Sequence, residues 1–174
     1  MIRGALCLLL GLFILVIDYF SKVSVYSHIP YYGAAASIYP YGGIGIFQGI
    51  LWGIDFSINL VFNKGAALGI LSQYQDLLLY FRMVLILAML IYLLFFNRVA
   101  ARSYFLTFVL AGAVGNVIDY YKYGFVIDFF HFNFWGYTYP LFNVADMAIC
   151  IGIILLAIHT LFLPGKREGA KGAS

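Results

Sequence analysis

Apolar residues run almost unbroken through four stretches of the chain, about 4–20, 77–96, 103–118 and 141–163. Each is long enough, or nearly so, to cross a bilayer as a helix, for which about 20 predominantly apolar residues are needed. None shows the period of two that marks a strand. The third stretch is short, and its helix is expected to continue through polar residues that face protein instead of lipid. The two long connections, 21–76 and 119–140, read differently. In "GIDFSINLVF" the apolar Ile54, Phe56, Ile58 and Leu60 alternate with Asp55, Ser57 and Asn59, which predicts a half-buried strand. Upstream, the glycine-rich and aromatic "YPYGGIGIFQGILWG" predicts turns and a second strand at a membrane interface. The alternation returns in "FFHFNFWGY", where Phe130, Phe132 and Phe134 interleave with His131, Asn133 and Trp135. The expected architecture is one α-helical membrane domain over 1–174. Four transmembrane helices carry a small extracytoplasmic β platform, and a disordered tail over 165–174 follows Pro164.

Composition agrees with this pattern. The chain is 64% hydrophobic and 10% charged, against about half and a quarter in a soluble domain. Arg3, Arg98, Arg102, Lys166, Arg167 and Lys171 fall in the termini and the shortest connection, whereas Lys22, Lys64 and Lys122 are spread over the two long loops, with Arg82 near the opposite end of the second span. The positive-inside rule therefore places both termini in the cytoplasm and both long loops outside. Because the apolar run follows Cys7 instead of preceding it, the N-terminus reads as a retained anchor, not a cleaved signal. Cys7 and Cys150 sit inside apolar runs as small packing residues. His28, His131 and His159 are scattered, so no metal site is expected. No nucleotide-binding loop or basic nucleic-acid patch is visible, and no cofactor is implied.

The acidic residues carry the chemical information. Of seven, six are aspartates, and Glu168 lies in the tail. Asp76 suits the first turn of the second helix, where the dipole favours a carboxylate, and Asp55 suits the polar face of a strand. Asp18 falls near the outer end of the first span, with Lys22 one turn later on the same face. Asp119, Asp128 and Asp146 all fall near the outer membrane surface. Two carboxylates that share a site do not both ionise easily, so one holds a proton while the other acts as a base. Aspartic proteases use this arrangement. On the residues alone, a proton relay in a small transporter or channel subunit remains open, as do interhelical hydrogen bonds in a structural protein.

Four motifs, in order along the chain, narrow the choice. "DYFSK", "NKGAALG", "AGAVGNVIDYYKYGFVIDFF" and "FNVADMAICIG" resemble those of the lipoprotein signal peptidases, the bacterial signal peptidase II family of membrane aspartic proteases. The resemblance implies that Asp128 and Asp146 are the catalytic pair. It implies that Asn63, Gly65, Asn116, Asp119, Asn143, Asp18 and Lys22 bind substrate or support the site. It further implies a prolipoprotein substrate carrying a diacylglyceryl cysteine, cleaved on the amino side of that cysteine. By the same comparison the protein works without metal or cofactor in the bacterial inner membrane, with its site near the periplasmic face; a lone pair of acids needs no second subunit, so a monomer is expected. Three positions depart from the family pattern: Tyr19 for a glutamine, Leu68 for an aromatic residue, and Tyr120 for the arginine that normally follows Asp119. Lys122 could replace that arginine's charge but not its bidentate fork.

Overall fold

A computed structural model of the chain describes residues 2–31, 43–64 and 74–162. Gly65, Leu68, the start of the glycine-rich segment and the tail lie outside the described residues. The elements in order are α1 (Ile2–His28), β1 (Ile44–Ile50), β2 (Ile54–Asn63), α2 (Gln75–Ile91), α3 (Ala100–Tyr123), β3 (Val126–Phe134), β4 (Tyr137–Thr138) and α4 (Val144–Phe162). A single π-helical turn, Tyr92–Phe96, continues α2. All four helices are long and apolar enough to cross a membrane.

Two helices outrun their apolar stretches. α1 continues past Phe20 to His28, and α3 past Ile118 to Tyr123. The reason lies in which face the polar residues occupy. In α1 the buried positions are Ile14, Asp18, Lys22 and Val25, one stripe at helical spacing in which apolar and charged side chains point the same way. In α3 that stripe includes Asn116 and Asp119. Hydropathy falls where these residues enter, but their partners are protein groups, so the helix has no reason to stop. α2 has no buried residue, as expected of a helix whose surroundings are mostly lipid.

α3 and α4 approach backbone to backbone. A Cβ on Gly112 would lie 2.3 Å from the Ala145 carbonyl oxygen, and one on Gly152 would lie 2.7 Å from that of Phe105. Small residues permit this contact between membrane helices. Gly112→Val is therefore expected to push α4 outward and to lower stability by about 1–3 kcal/mol, the usual range for overpacking. Thermal melting in detergent would register it, as would a displaced Asp146, because Ala145 precedes that residue.

The strands form one antiparallel sheet in the order β1-β2-β3-β4. Its register pairs Phe56 with Phe132, Ser57 with His131 and Ile58 with Phe130. Over most of β2, burial reverses what the alternation suggests, Leu60 being the one residue of the apolar row that is buried. Ser57 and Asn59 are buried, while Ile54, Phe56 and Ile58 are only partly covered. The polar row turns inward because it meets polar partners: the Ser57 hydroxyl lies 3.2 Å from Nδ1 of His131. His131 is accordingly buried, and burial lowers its pKa. The aromatic row, with Phe56 stacked on Phe132 at 4.4 Å between ring centroids, forms the more open face. A register shift between Ile58 and Val61 re-aims the end of β2, as bulges do beside functional sites. Val25 of α1 and Ile29 just past its end pack with Leu60, Ile127 and Phe129 of the sheet into a shared core, which fixes the platform to the helices.

Candidate active site

The site forms where one end of the sheet meets the C-terminal turns of α1 and α3 and the N-terminal turn of α4. Asp128 lies on β3, and by strand alternation it shares a face with Phe130, Phe132 and Phe134. Asp146 lies in the first turn of α4. The sequence "NVAD" explains how Asp146 is aimed. The Asn143 side-chain oxygen accepts the Asp146 backbone N–H at 2.9 Å, and the Asp146 carboxylate reaches back to the Asn143 backbone N–H at 3.3 Å. This is the reciprocal geometry of a capping box, with aspartate in place of the usual glutamate. The helix start and the carboxylate position are thus set by one local motif.

Asn143 is fully buried and stands between the two acids. Its Nδ2 donates to Asp128 Oδ1 at 2.7 Å and also lies 3.2 Å from both Asn116 Oδ1 and the Ile127 carbonyl oxygen. Each acid also has a second amide on its other oxygen. Asn63 Nδ2 donates to Asp128 Oδ2 at 2.9 Å, and Asn116 Nδ2 donates to Asp146 Oδ1 at 2.8 Å. Burial pushes the Asp128 carboxyl up to about 7; the neighbouring Asp146 charge adds to the rise, and the amides of Asn63 and Asn143 oppose it. Asp146→Asn removes the charge contribution but not the burial. The Asp128 carboxyl in that variant should therefore titrate below the wild-type value yet above an exposed aspartate. Infrared titration of the carboxyl stretch would show this.

Behind the pair lies an ion cluster. Lys22 is 1% exposed, and its ammonium lies 2.7 Å from Asp18 Oδ2, 2.8 Å from Asp119 Oδ2 and 3.2 Å from Asn116 Oδ1. These three acceptors match the three donors of an ammonium. Asp18 Oδ1 accepts the Ala145 backbone N–H at 2.8 Å, and Asp119 Oδ2 accepts that of Ile127 at 3.2 Å. The cluster therefore ties α1 and α3 to the first turn of α4 and to β3 beside Asp128. Asn116 joins cluster and pair by touching Lys22, Asn143 and Asp146.

Every candidate residue among the described ones enters this network: Asn63, Asn116, Asp119, Asn143, Asp18, Lys22, Asp128 and Asp146. Gly65 lies outside the described residues. The backbone donors of Ala145 and Ile127 had no sequence signal, because backbone groups carry none. Nor did two exposed bridges at positions that depart from the family pattern. The Tyr120 hydroxyl donates to Asp76 Oδ1 at 2.8 Å, linking α3 to the first turn of α2. Lys122 donates to the Tyr19 hydroxyl at 3.0 Å and lies 4.6 Å above that ring, linking α3 to α1. The Lys122 ammonium is thus engaged by Tyr19 instead of standing in for an arginine in the acid network.

Comparison with known proteins agrees with this arrangement. The profile of Signal peptidase (SPase) II matches residues 10–162. The chain belongs to the signal peptidase II family. It is therefore a bacterial membrane protease concerned with lipoprotein processing, and the match spans all four helices and the sheet that this family member places around the acids. It is 41% identical over 124 residues to the lipoprotein signal peptidase of Chlamydia pneumoniae, covering 69% of this chain and 73% of that one. To that of Chlamydia felis it is 33% identical over 159 residues, covering 90% and 91%. Its fold resembles a bacterial membrane enzyme solved by the in meso method at 2.3 Å resolution, with a TM-score of 0.76 over 98% of this chain and 95% of the other at 24% identity.

Proposed function

We propose that this member of the signal peptidase II family is an aspartic endopeptidase that cleaves diacylglyceryl-modified prolipoproteins on the amino side of the lipidated cysteine. The observation that carries the reading is Asn143, which holds one oxygen of Asp128 by its side chain and one of Asp146 by its backbone. Two carboxylates placed on either side of one amide suit a reaction that needs an acid and a base together. Asp128, the more deeply buried of the two, holds the shared proton. Asp146 takes a proton from water as the hydroxyl adds to the scissile carbonyl carbon, while Asp128 polarises the carbonyl oxygen. As the C–N bond breaks, Asp128 gives its proton to the departing nitrogen, which leaves as the free amine of the lipidated cysteine. Asn63, Asn116 and Asn143 position the acids, and the Lys22 cluster holds the elements that carry them. The aromatic row leading to Asp128 forms a floor for an extended substrate segment.

The topology follows the positive-inside asymmetry: both termini cytoplasmic and the site near the periplasmic face. A monomer suffices, since one chain supplies the complete pair. The comparisons give no support to a proton-coupled transporter.

The test is cleavage of a diacylated prolipoprotein by protein reconstituted in lipid. Mass spectrometry should find a new amino terminus at the lipidated cysteine, while the unlipidated precursor stays intact. Equal cleavage of both precursors, or none of either, would contradict the substrate assignment. Cleavage at limiting substrate (kcat/KM) should also fall as pH rises through about 7, because Asp128 of the free enzyme then loses its proton.

A further inference from the structure

At the end of the bundle away from the acids, α1, α2 and α3 enclose a cavity of about 590 Å³. α1 lines it from Arg3 to Leu15, α2 and its π-helical turn from Ile86 to Leu94, and α3 from Ser103 to Val114. At 1.5 Å per residue the α1 wall is about 18 Å long. The hydrocarbon of one leaflet is about 15 Å thick, half of the bilayer core. The cavity therefore runs from one membrane surface to the middle and ends about one turn short of Asp18. A transmembrane signal helix of about 20 residues is nearly twice that length, so the cavity does not suit one.

The walls suit hydrocarbon. Apart from Arg3 at the mouth, they are apolar but for Cys7, Ser103 and Thr107, and both hydroxyls are engaged within the protein. The Thr107 hydroxyl donates to the Ser103 carbonyl at 2.8 Å, and Ser103 Oγ accepts from Asn97 Nδ2 at 2.9 Å. With those groups satisfied, little is left to hold water. An empty space would forfeit dispersion contact along every wall. The mouth is open beside Arg3, where a Cβ on Gly4 would meet nothing within 4 Å.

Charge at the mouth is one-sided. Arg3, Arg98 and Arg102 all belong to this end, because α1 and α3 begin here and the π-helical turn of α2 finishes here. Asp18, Asp76, Asp119 and Asp146 lie toward the opposite ends of their helices, and Asp55 and Asp128 lie on the sheet. Among the described residues, both ion pairs belong to Lys22, so none of these arginines is paired with an acid.

We infer that this cavity is a site for an anionic phospholipid, with one acyl chain between α1, α2 and α3 and the phosphate at Arg3. On the positive-inside topology proposed above, that lipid belongs to the cytoplasmic leaflet. Its chain fills the space between α1 and α3 next to Asp18, Lys22 and Asp119, and so braces the two helices where the ion cluster joins them.

The test is photocrosslinking of the full chain in phosphatidylcholine nanodiscs that carry a trace of phosphatidylglycerol with a diazirine in one acyl chain. Mass spectrometry should find adducts concentrated on walls such as Cys7, Leu94 and Val114, above those on the exposed Ile153 and Ile154 of α4. The same diazirine on phosphatidylcholine should give about fivefold less cavity adduct, the worth of one basic residue beside an anionic lipid. Arg3→Gln should remove that difference. Gly4→Trp, which blocks the mouth, should remove the cavity adducts and leave those on α4. Equal labelling of cavity and α4, the mark of a passing lipid shell, would overturn the site, as would an unchanged lipid preference in Arg3→Gln. Displacement of the probe by a synthetic signal peptide would also overturn it, by assigning the cavity to substrate. The nanodisc offers the probe to both faces and no cleavage is read, so the result is separate from the topology and from the protease mechanism.

Discussion

Asp128→Asn and Asp146→Asn each abolish detectable processing of a lipidated precursor while leaving the protein folded. The expected loss is at least about 10²–10⁴-fold, the range that a positioned general acid or base supplies. Asparagine preserves shape and removes a carboxylate that is costly to bury. That offsets part of the loss of an acceptor facing an amide donor, so the fall in stability should be small beside the loss of activity. The two variants fail for different reasons. Asp128→Asn leaves the base in place but supplies no proton to the departing nitrogen. Asp146→Asn leaves the acid but supplies no base for water, and it weakens the capping box that starts α4, because an amide accepts the Asn143 N–H less strongly. A modestly larger fall in melting temperature is therefore expected for Asp146→Asn than for Asp128→Asn.

Lys22→Met produces the largest loss of stability. The substitution keeps the length of the side chain but leaves Asp18 and Asp119, both almost fully buried, without their cation. Removing one partner from a buried ion pair costs about 3–5 kcal/mol, because the remaining charge is stranded. Replacing all the charges together avoids that penalty. The triple variant Lys22→Met, Asp18→Asn, Asp119→Asn should therefore be more stable than Lys22→Met alone. Thermal unfolding in detergent would separate the cases. If Lys22→Met melted with the wild type, the cluster would not be holding α1, α3 and α4 together.

Much of this was legible in the sequence because it rests on period. Four apolar runs gave four helices, and alternation in 54–60 and 129–135 gave the two central strands. The polar outer turns of α1 and α3 were less legible. Hydropathy measures distance from lipid, and Asp18, Lys22, Asn116 and Asp119 face protein. The inward turn of Ser57 and Asn59 was hidden for a related reason. Alternation shows that a strand has two faces, but which face is covered depends on a partner, here His131, that lies far along the chain. The motifs located the acids, and "NVAD" contains its own capping box. Sequence spacing could not reveal that Lys22 would also reach Asp119, or that Asn143 would stand between Asp128 and Asp146. The first contact depends on how α1 packs on α3, and the second on how the start of α4 meets β3. Tyr120 likewise read only as a missing arginine; its bond to Asp76 joins segments that no local pattern connects.

The central claim is that Asp128 and Asp146 act as one device. Its most direct test is the single-turnover rate of lipidated-precursor cleavage by folded Asp128→Asn, Asp146→Asn and the double variant, each compared with wild type. Residues that work as a unit are strongly non-additive, so once one is lost the other has little left to contribute. The account predicts that both single variants lose nearly all activity and that the double variant is no slower than either. A wild-type rate in either folded single variant, or single losses that multiply in the double, would contradict it.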